Sequence, residues 1–137
     1  MARIIIILSL FLILPICVYA DNVGQDLSTL ISSQNVKFED CTKVFNVDNV
    51  TLFYQTIAAI NANRFTIDEI QSKSGYILFT AVNKKFLAAI TNVNTNQAML
   101  KITPADNNYY FQPGIISNIH KYIDLNKSKK VTNINFN

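Results

Sequence analysis

The sequence predicts an α+β fold, a two-layer sandwich in which an antiparallel sheet of about four strands is covered by two helices. Three observations carry this reading. A helical stripe of apolar residues begins at Asp48, a series of short β-rich runs separated by turn residues occupies residues 65–103, and a second helical stripe follows Pro113. An antiparallel sheet with one apolar face must bury that face, and two amphipathic helices supply the cover.

The first helix is set by its cap and its spacing. Asp48 or Asn49 is a candidate N-cap, and Val50, Phe53, Tyr54, Ile57, Ala58 and Asn61 recur at three- and four-residue intervals until Asn61-Ala62-Asn63 stops the pattern. The period then changes to two. Phe65 and Ile67 alternate with Thr66 and Asp68, Ser72-Lys73-Ser74-Gly75 makes a turn, and Tyr76 to Val82 is a strongly apolar strand. Asn83-Lys84 is the candidate hairpin link to a third strand, Phe86 to Val93. That strand lacks strict alternation, which points to a central position or to a second apolar surface fit for an oligomer contact. After Asn94-Thr95-Asn96, Ala98 to Thr103 forms the fourth strand and Pro104 ends it. Ala105 to Phe111 reads as a polar surface loop. Pro113 suits the first turn of the second helix, whose stripe is Ile115, Ile116, Ile119, Tyr122 and Ile123.

The N-terminus carries a different signal. Arg3, the apolar run from Ile4 to Leu14, Pro15 and then Val18-Tyr19-Ala20 have the order of a secretory signal peptide, with cleavage expected after Ala20. The run is about 11 residues long, against the roughly 20 that cross a bilayer as a helix, so export followed by release is the expectation and a retained anchor the alternative. The chain therefore divides into a signal peptide at 1–20, an N-terminal arm at 21–47 that is expected to be mobile or loosely docked, an α+β domain at 48–125 and a polar C-terminal tail at 126–137. The expected location is secreted or periplasmic.

Cleavage leaves eleven basic and nine acidic residues, a net +2 without a basic stripe, which argues against nucleic acid as a partner. Lys127, Lys129 and Lys130 form the only cluster and are the candidate contact to an anionic membrane or cell-wall surface. Cleavage also removes Cys17 and leaves Cys41 alone, so no disulfide forms within the mature chain. A lone cysteine is buried as a small hydrophobe, paired with another chain, or a reactive thiol, and the first is the commonest fate. Two sequons occur, Asn49-Val50-Thr51 and Asn126-Lys127-Ser128, and they matter only where the source glycosylates asparagine.

No motif specifies a reaction. Asp68 and Glu69 are adjacent, so a regular strand turns them to opposite faces and they cannot serve one substrate as acid and base. The single histidine, His120, lies at the edge of the second helix's apolar stripe. Gly75 and Gly114 are isolated, and neither CxxC nor HxH occurs, so neither a nucleotide cofactor nor a metal is expected. Tyr109-Tyr110-Phe111, in the expected loop, is the candidate aromatic contact with a partner.

The stretch from Leu52 to Ile123 resembles the small helix-sheet-helix domains of bacterial envelope lipoproteins, the BamC-like modules among them. The features that carry it are Ile57-Ala58-Ala59-Ile60-Asn61, then Phe65-Thr66-Ile67, Ser74-Gly75-Tyr76-Ile77, the paired strands and the helix from Ile116 to Ile123. The resemblance implies a binding or assembly part without catalytic residues. Lipidation signals place a small residue before the cysteine, and here bulky Ile16 precedes Cys17. The expected function is a non-enzymatic binding or assembly module of the cell envelope, with an envelope protein or a second copy as partner. The alternatives are a small secreted thiol hydrolase using Cys41 and His120, and a membrane-anchored structural protein held by Cys17 or by an uncleaved N-terminus.

Overall fold

Asp48 starts the first helix as its sequence requires: its carboxylate accepts from the Thr51 backbone N–H at 2.8 Å and from the Thr51 hydroxyl at 2.8 Å. These bonds hold the Asp48 carboxyl below the usual carboxylate range. The helix, α1 (Asn49–Ala62), ends in a Schellman turn in which Arg64 takes positive φ and the Phe65 and Arg64 N–H groups donate to the Ile60 and Asn61 carbonyls. Phe65 is thereby turned back to stack on Phe79.

The structure, a computed structural model, describes residues 32–128. The signal segment 1–20, Cys17, Lys129 and Lys130 lie outside the described residues. Along the chain come β1 (Gln34–Asn35), a 3-10 turn (Phe38–Cys41), β2 (Thr42–Phe45), α1, β3 (Thr66–Gln71), β4 (Tyr76–Ala81), β5 (Lys84–Asn94), β6 (Gln97–Pro104), β7 (Tyr110–Phe111) and α2 (Gly114–Asn126). The class is α+β. The main sheet is antiparallel and has five strands rather than four, ordered β2-β6-β5-β4-β3, and β1 and β7 form a separate two-stranded ribbon.

The extra strand comes from the expected arm. Within residues 21–47, β2 pairs with β6 through Thr42↔Lys101 and Phe45↔Ala98, and Cys41 and Phe45 are buried. Its residues 41–45 are sheet edge and core rather than a loosely docked arm, and residues 21–31 lie outside the described residues. The strand is short, and its first inward position holds Lys43, which disguises the alternation. Lys43 reaches past the sheet edge to pair with Asp124 on α2, so β2 is tied to the second helix.

β5 is central, as its lack of alternation indicated. Phe86 and Ala88 face the helices, and Leu87 and Ala89 face the other way. The inner face, with Ile77, Phe79, Phe86, Ala88, Leu100 and Ile102, packs under α1, whose Leu52, Ala59 and Ile60 are fully buried. α2 lies along α1, adding Ile116, Ile119 and Ile123 to the same core. Gln55 of α1 donates from Nε2 to the Asn126 carbonyl at 3.1 Å, satisfying an end carbonyl of α2.

Two turns differ from expectation. The β4–β5 link is Val82-Asn83, not Asn83-Lys84, since Ala81 and Lys84 close the ladder and both loop residues have positive φ, 47° and 60°. That is the primed geometry that matches strand twist, adopted here by a β-branched residue. Ala105 to Phe111 is not wholly surface loop: Phe111 is buried and meets Phe86 edge-on with centroids 5.0 Å apart. At Gly75 the expectation holds. Its φ is +71°, and a Cβ there would stand 2.8 Å from the Ile90 carbonyl oxygen.

Candidate functional site

Both helices lie on one face of the sheet, so among the described residues the other face has no cover. Its composition follows from strand alternation read through the register. One row runs Gln71, Tyr76, Ala89, Lys101, Thr42 from β3 to β2, and the next runs Glu69, Leu78, Leu87, Thr103. Beyond the first lies Thr91, Met99, Val44. The centre is therefore apolar. Tyr76 is 42% exposed and Val44 48%, whereas Ala89 is shielded between Tyr76 and Lys101 to 9%. A shallow cavity of about 100 Å³ opens among Glu69, Gln71, Tyr76, Leu78 and Leu87.

The charge on this face is divided across the sheet, with the carboxylates on β3 and two lysines on the other side, Lys85 on β5 opposite Thr80 and Lys101 on β6. The register of β3 against β4 shifts between Ile67 and Glu69, so Asp68 is the extra residue of a bulge. Thr80 Oγ1 donates to Asp68 Oδ2 at 2.6 Å, and Glu69 sits opposite Leu78. Asp68 and Glu69 thus share the outer face rather than taking opposite faces, because the bulge cancels one step of alternation. Lys101, on β6, lies across the sheet from them.

Of the expected aromatic contact, Tyr110 is 57% exposed on the β1–β7 ribbon, Tyr109 packs edge-on against the exposed Phe38 with centroids 6.3 Å apart, and Phe111 belongs to the core. The triplet therefore divides into surface and core. Lys127 is exposed just past α2.

Cys41 and His120 share no hydrogen bond among the described residues. Cys41 is fully buried, and its thiol points to the Lys37 carbonyl at 3.6 Å. Burial pushes the thiol up to about 11, with Asp40 and Glu39 adding to the rise, so it stays protonated at neutral pH. His120 packs edge-on against Phe45 with centroids 5.9 Å apart, and its Nε2 is buried without a partner among the described residues. Burial pushes its pKa down to about 4, the Lys43 ammonium adds to the fall, and Asp124 opposes it. A protonated thiol and a neutral, weakly basic imidazole are poorly suited to activate one another. The imidazole borders a cleft of about 340 Å³ with a mixed lining, Asp40, Asn35 and Ser117 beside Val36, Pro113 and Ile116.

No three His, Cys, Asp or Glu side chains converge to hold a metal among the described residues. No described helix is long and apolar enough to cross a membrane. Compared with known protein families and with characterised proteins, the chain matches none of either.

The outer sheet face was half legible. The broken alternation of β5 announced a second apolar surface, but Val44, Tyr76, Leu78 and Met99 join it only through pairing between distant strands. The Asp68 bulge left no recognisable signal in the sequence.

Proposed function

We propose that this chain is an exported, non-enzymatic binding or assembly module that works through the outer face of its sheet, in the secreted or periplasmic space. The observation that carries the reading is the uncovered face itself: a five-stranded sheet with Leu78, Leu87, Ala89 and Met99 at its centre and Tyr76 and Val44 exposed beside them. An apolar patch with a polar rim is the usual form of a protein contact surface. The order of Arg3, the apolar run and Val18-Tyr19-Ala20 supports export, and the resemblance to envelope lipoprotein domains supports the cell envelope as the place of action. Cys41 as a protonated, fully buried thiol weighs against the hydrolase alternative.

Two readouts test this. Intact mass and N-terminal sequencing of the native protein from separated cell fractions and medium are expected to give an unmodified chain beginning at Asp21. A chain beginning at Cys17 with added lipid, or one beginning at Met1 in membranes, would make it an anchored component instead. A photo-crosslinking residue at Leu87 is expected to capture a protein in native cells, whereas one at Leu125, 72% exposed on α2, is not. Capture from Leu125 alone would remove the sheet face from the proposal.

A further inference from the structure

We infer that the occupant of the outer sheet face is a second copy of this chain, the two sheets packing face to face about a two-fold axis that runs along the strands between β4 and β5. This rests on reading that face as the working surface.

Three features of the face suit it to itself. The first is the pairing of sizes. Such an axis lays β4 of each copy over β5 of the other and β3 over β6, so Leu78 comes over the second copy's Leu87 and bulky Tyr76 over small Ala89, while Glu69 and Gln71 come over Thr103 and Lys101. Tyr76 thus fits over a small residue in one row, and in the next two leucines meet as an apolar pair. The second is charge. Asp68 and Glu69 lie on the β3 side and Lys85 and Lys101 on β5 and β6, and the axis exchanges those sides, so each acidic edge receives the lysines of the other copy. A two-fold axis running across the strands would instead lay the acidic edge of each copy on that of the other. The cavity among Glu69, Gln71, Tyr76, Leu78 and Leu87 lies where the second copy's Lys101 stem would enter.

The third is area. The axis leaves β2 overhanging, so four strands about 4.8 Å apart, each presenting roughly 20 Å, overlap over an area on the order of 400 Å² in projection. Side-chain relief brings this towards the ~800 Å² that each subunit of a stable dimer buries.

Sedimentation equilibrium of the protein as recovered natively, beginning at Asp21, tests the assignment through charge exchange. The unaltered protein is expected to dimerise, Glu69→Lys and Lys101→Glu each to weaken the dimer about tenfold or more, and the double variant to return to within about threefold of the original. Thermal melts of the single variants check that each is folded, and recovery in the double variant carries the test even where a single variant is less stable. A protein that stays monomeric to about 100 μM overturns the second copy as occupant. A dimer indifferent to both reversals overturns it as well, since its contact lies elsewhere. Capture of a different protein from Leu87 by a monomeric chain would overturn this inference while leaving the sheet face as a binding surface, and a monomer that captures nothing from Leu87 would overturn both.

Discussion

Thr80 donates from Oγ1 to Asp68 Oδ2 at 2.6 Å, across a bulge that places Asp68 and Glu69 together on the outer face of the sheet. The bond fixes which way the inserted residue points, and with it the sign of charge along one edge. Replacing the hydroxyl by a methyl in Thr80→Val is expected to cost no more than about 1 kcal/mol, because both groups are exposed and water replaces the lost partner. The check is a denaturant melt, with NMR amide shifts expected to change around Asp68 and Glu69 and not in β6.

Phe111 and Tyr110 are neighbours with opposite fates. Phe111→Ala is expected to destabilise by about 3–5 kcal/mol, since its ring is 2% exposed and meets Phe86 in the core. Tyr110→Ala is expected to stay within about 0.5 kcal/mol of the original, as surface changes usually do. Chemical denaturation of the two variants measures the contrast.

That contrast shows where the sequence is legible. The ends of α1 could be read because its cap and stop are local, and Pro113 and the stripe of α2 likewise, but the buried face of α1 was misplaced. Leu52, Thr56, Ala59 and Ile60 face the core, whereas Val50, at 59% exposure, and Asn61 of the expected stripe face water, because the helix is apolar on more than one side and tertiary packing chooses among them. Phe111 could not, because a two-residue strand in an Asn-rich stretch has no period, and its core partner Phe86 is distant in sequence. β2 was hidden likewise: its pairing with β6 joins residues more than fifty positions apart, and Lys43 occupies an inward position. The outer face inherits this difficulty, since its rows exist only once five strands are in register.

His120 makes stability depend on pH. Its folded pKa of about 4 lies below the ordinary 6.5, so between those values the unfolded chain binds more protons than the folded one. Stability therefore rises with pH through that window and is lost as pH falls from 6.5 towards 4. The loss between about pH 7 and pH 5 is expected to be roughly 2 kcal/mol, and His120→Gln is expected to flatten most of it. Urea midpoints of both proteins across that range provide the measurement.

Val82 and Arg64 hold positive φ in places where glycine or asparagine is the natural choice. Val82→Asn and Arg64→Gly are each expected to raise stability by about 1 kcal/mol, the first by relieving a β-branched residue in the hairpin loop and the second by supplying a glycine at the Schellman position. Melting temperatures of the single variants and of the pair test this, and the two gains should add, as the sites lie in different turns.

The most direct test of the sheet face as the working surface is its accessibility in the cell. Leu87→Cys and Leu125→Cys, each in a Cys41→Ala background, would be labelled with a membrane-impermeant thiol reagent in native cells and again after purification and dilution. Burial of the face against its occupant is expected to slow labelling at position 87 in cells by about tenfold or more relative to the diluted protein, with position 125 reacting alike in both. Equal rates at position 87 in the two settings would mean that the face stays open to water where the protein acts, and would contradict its role as the binding surface.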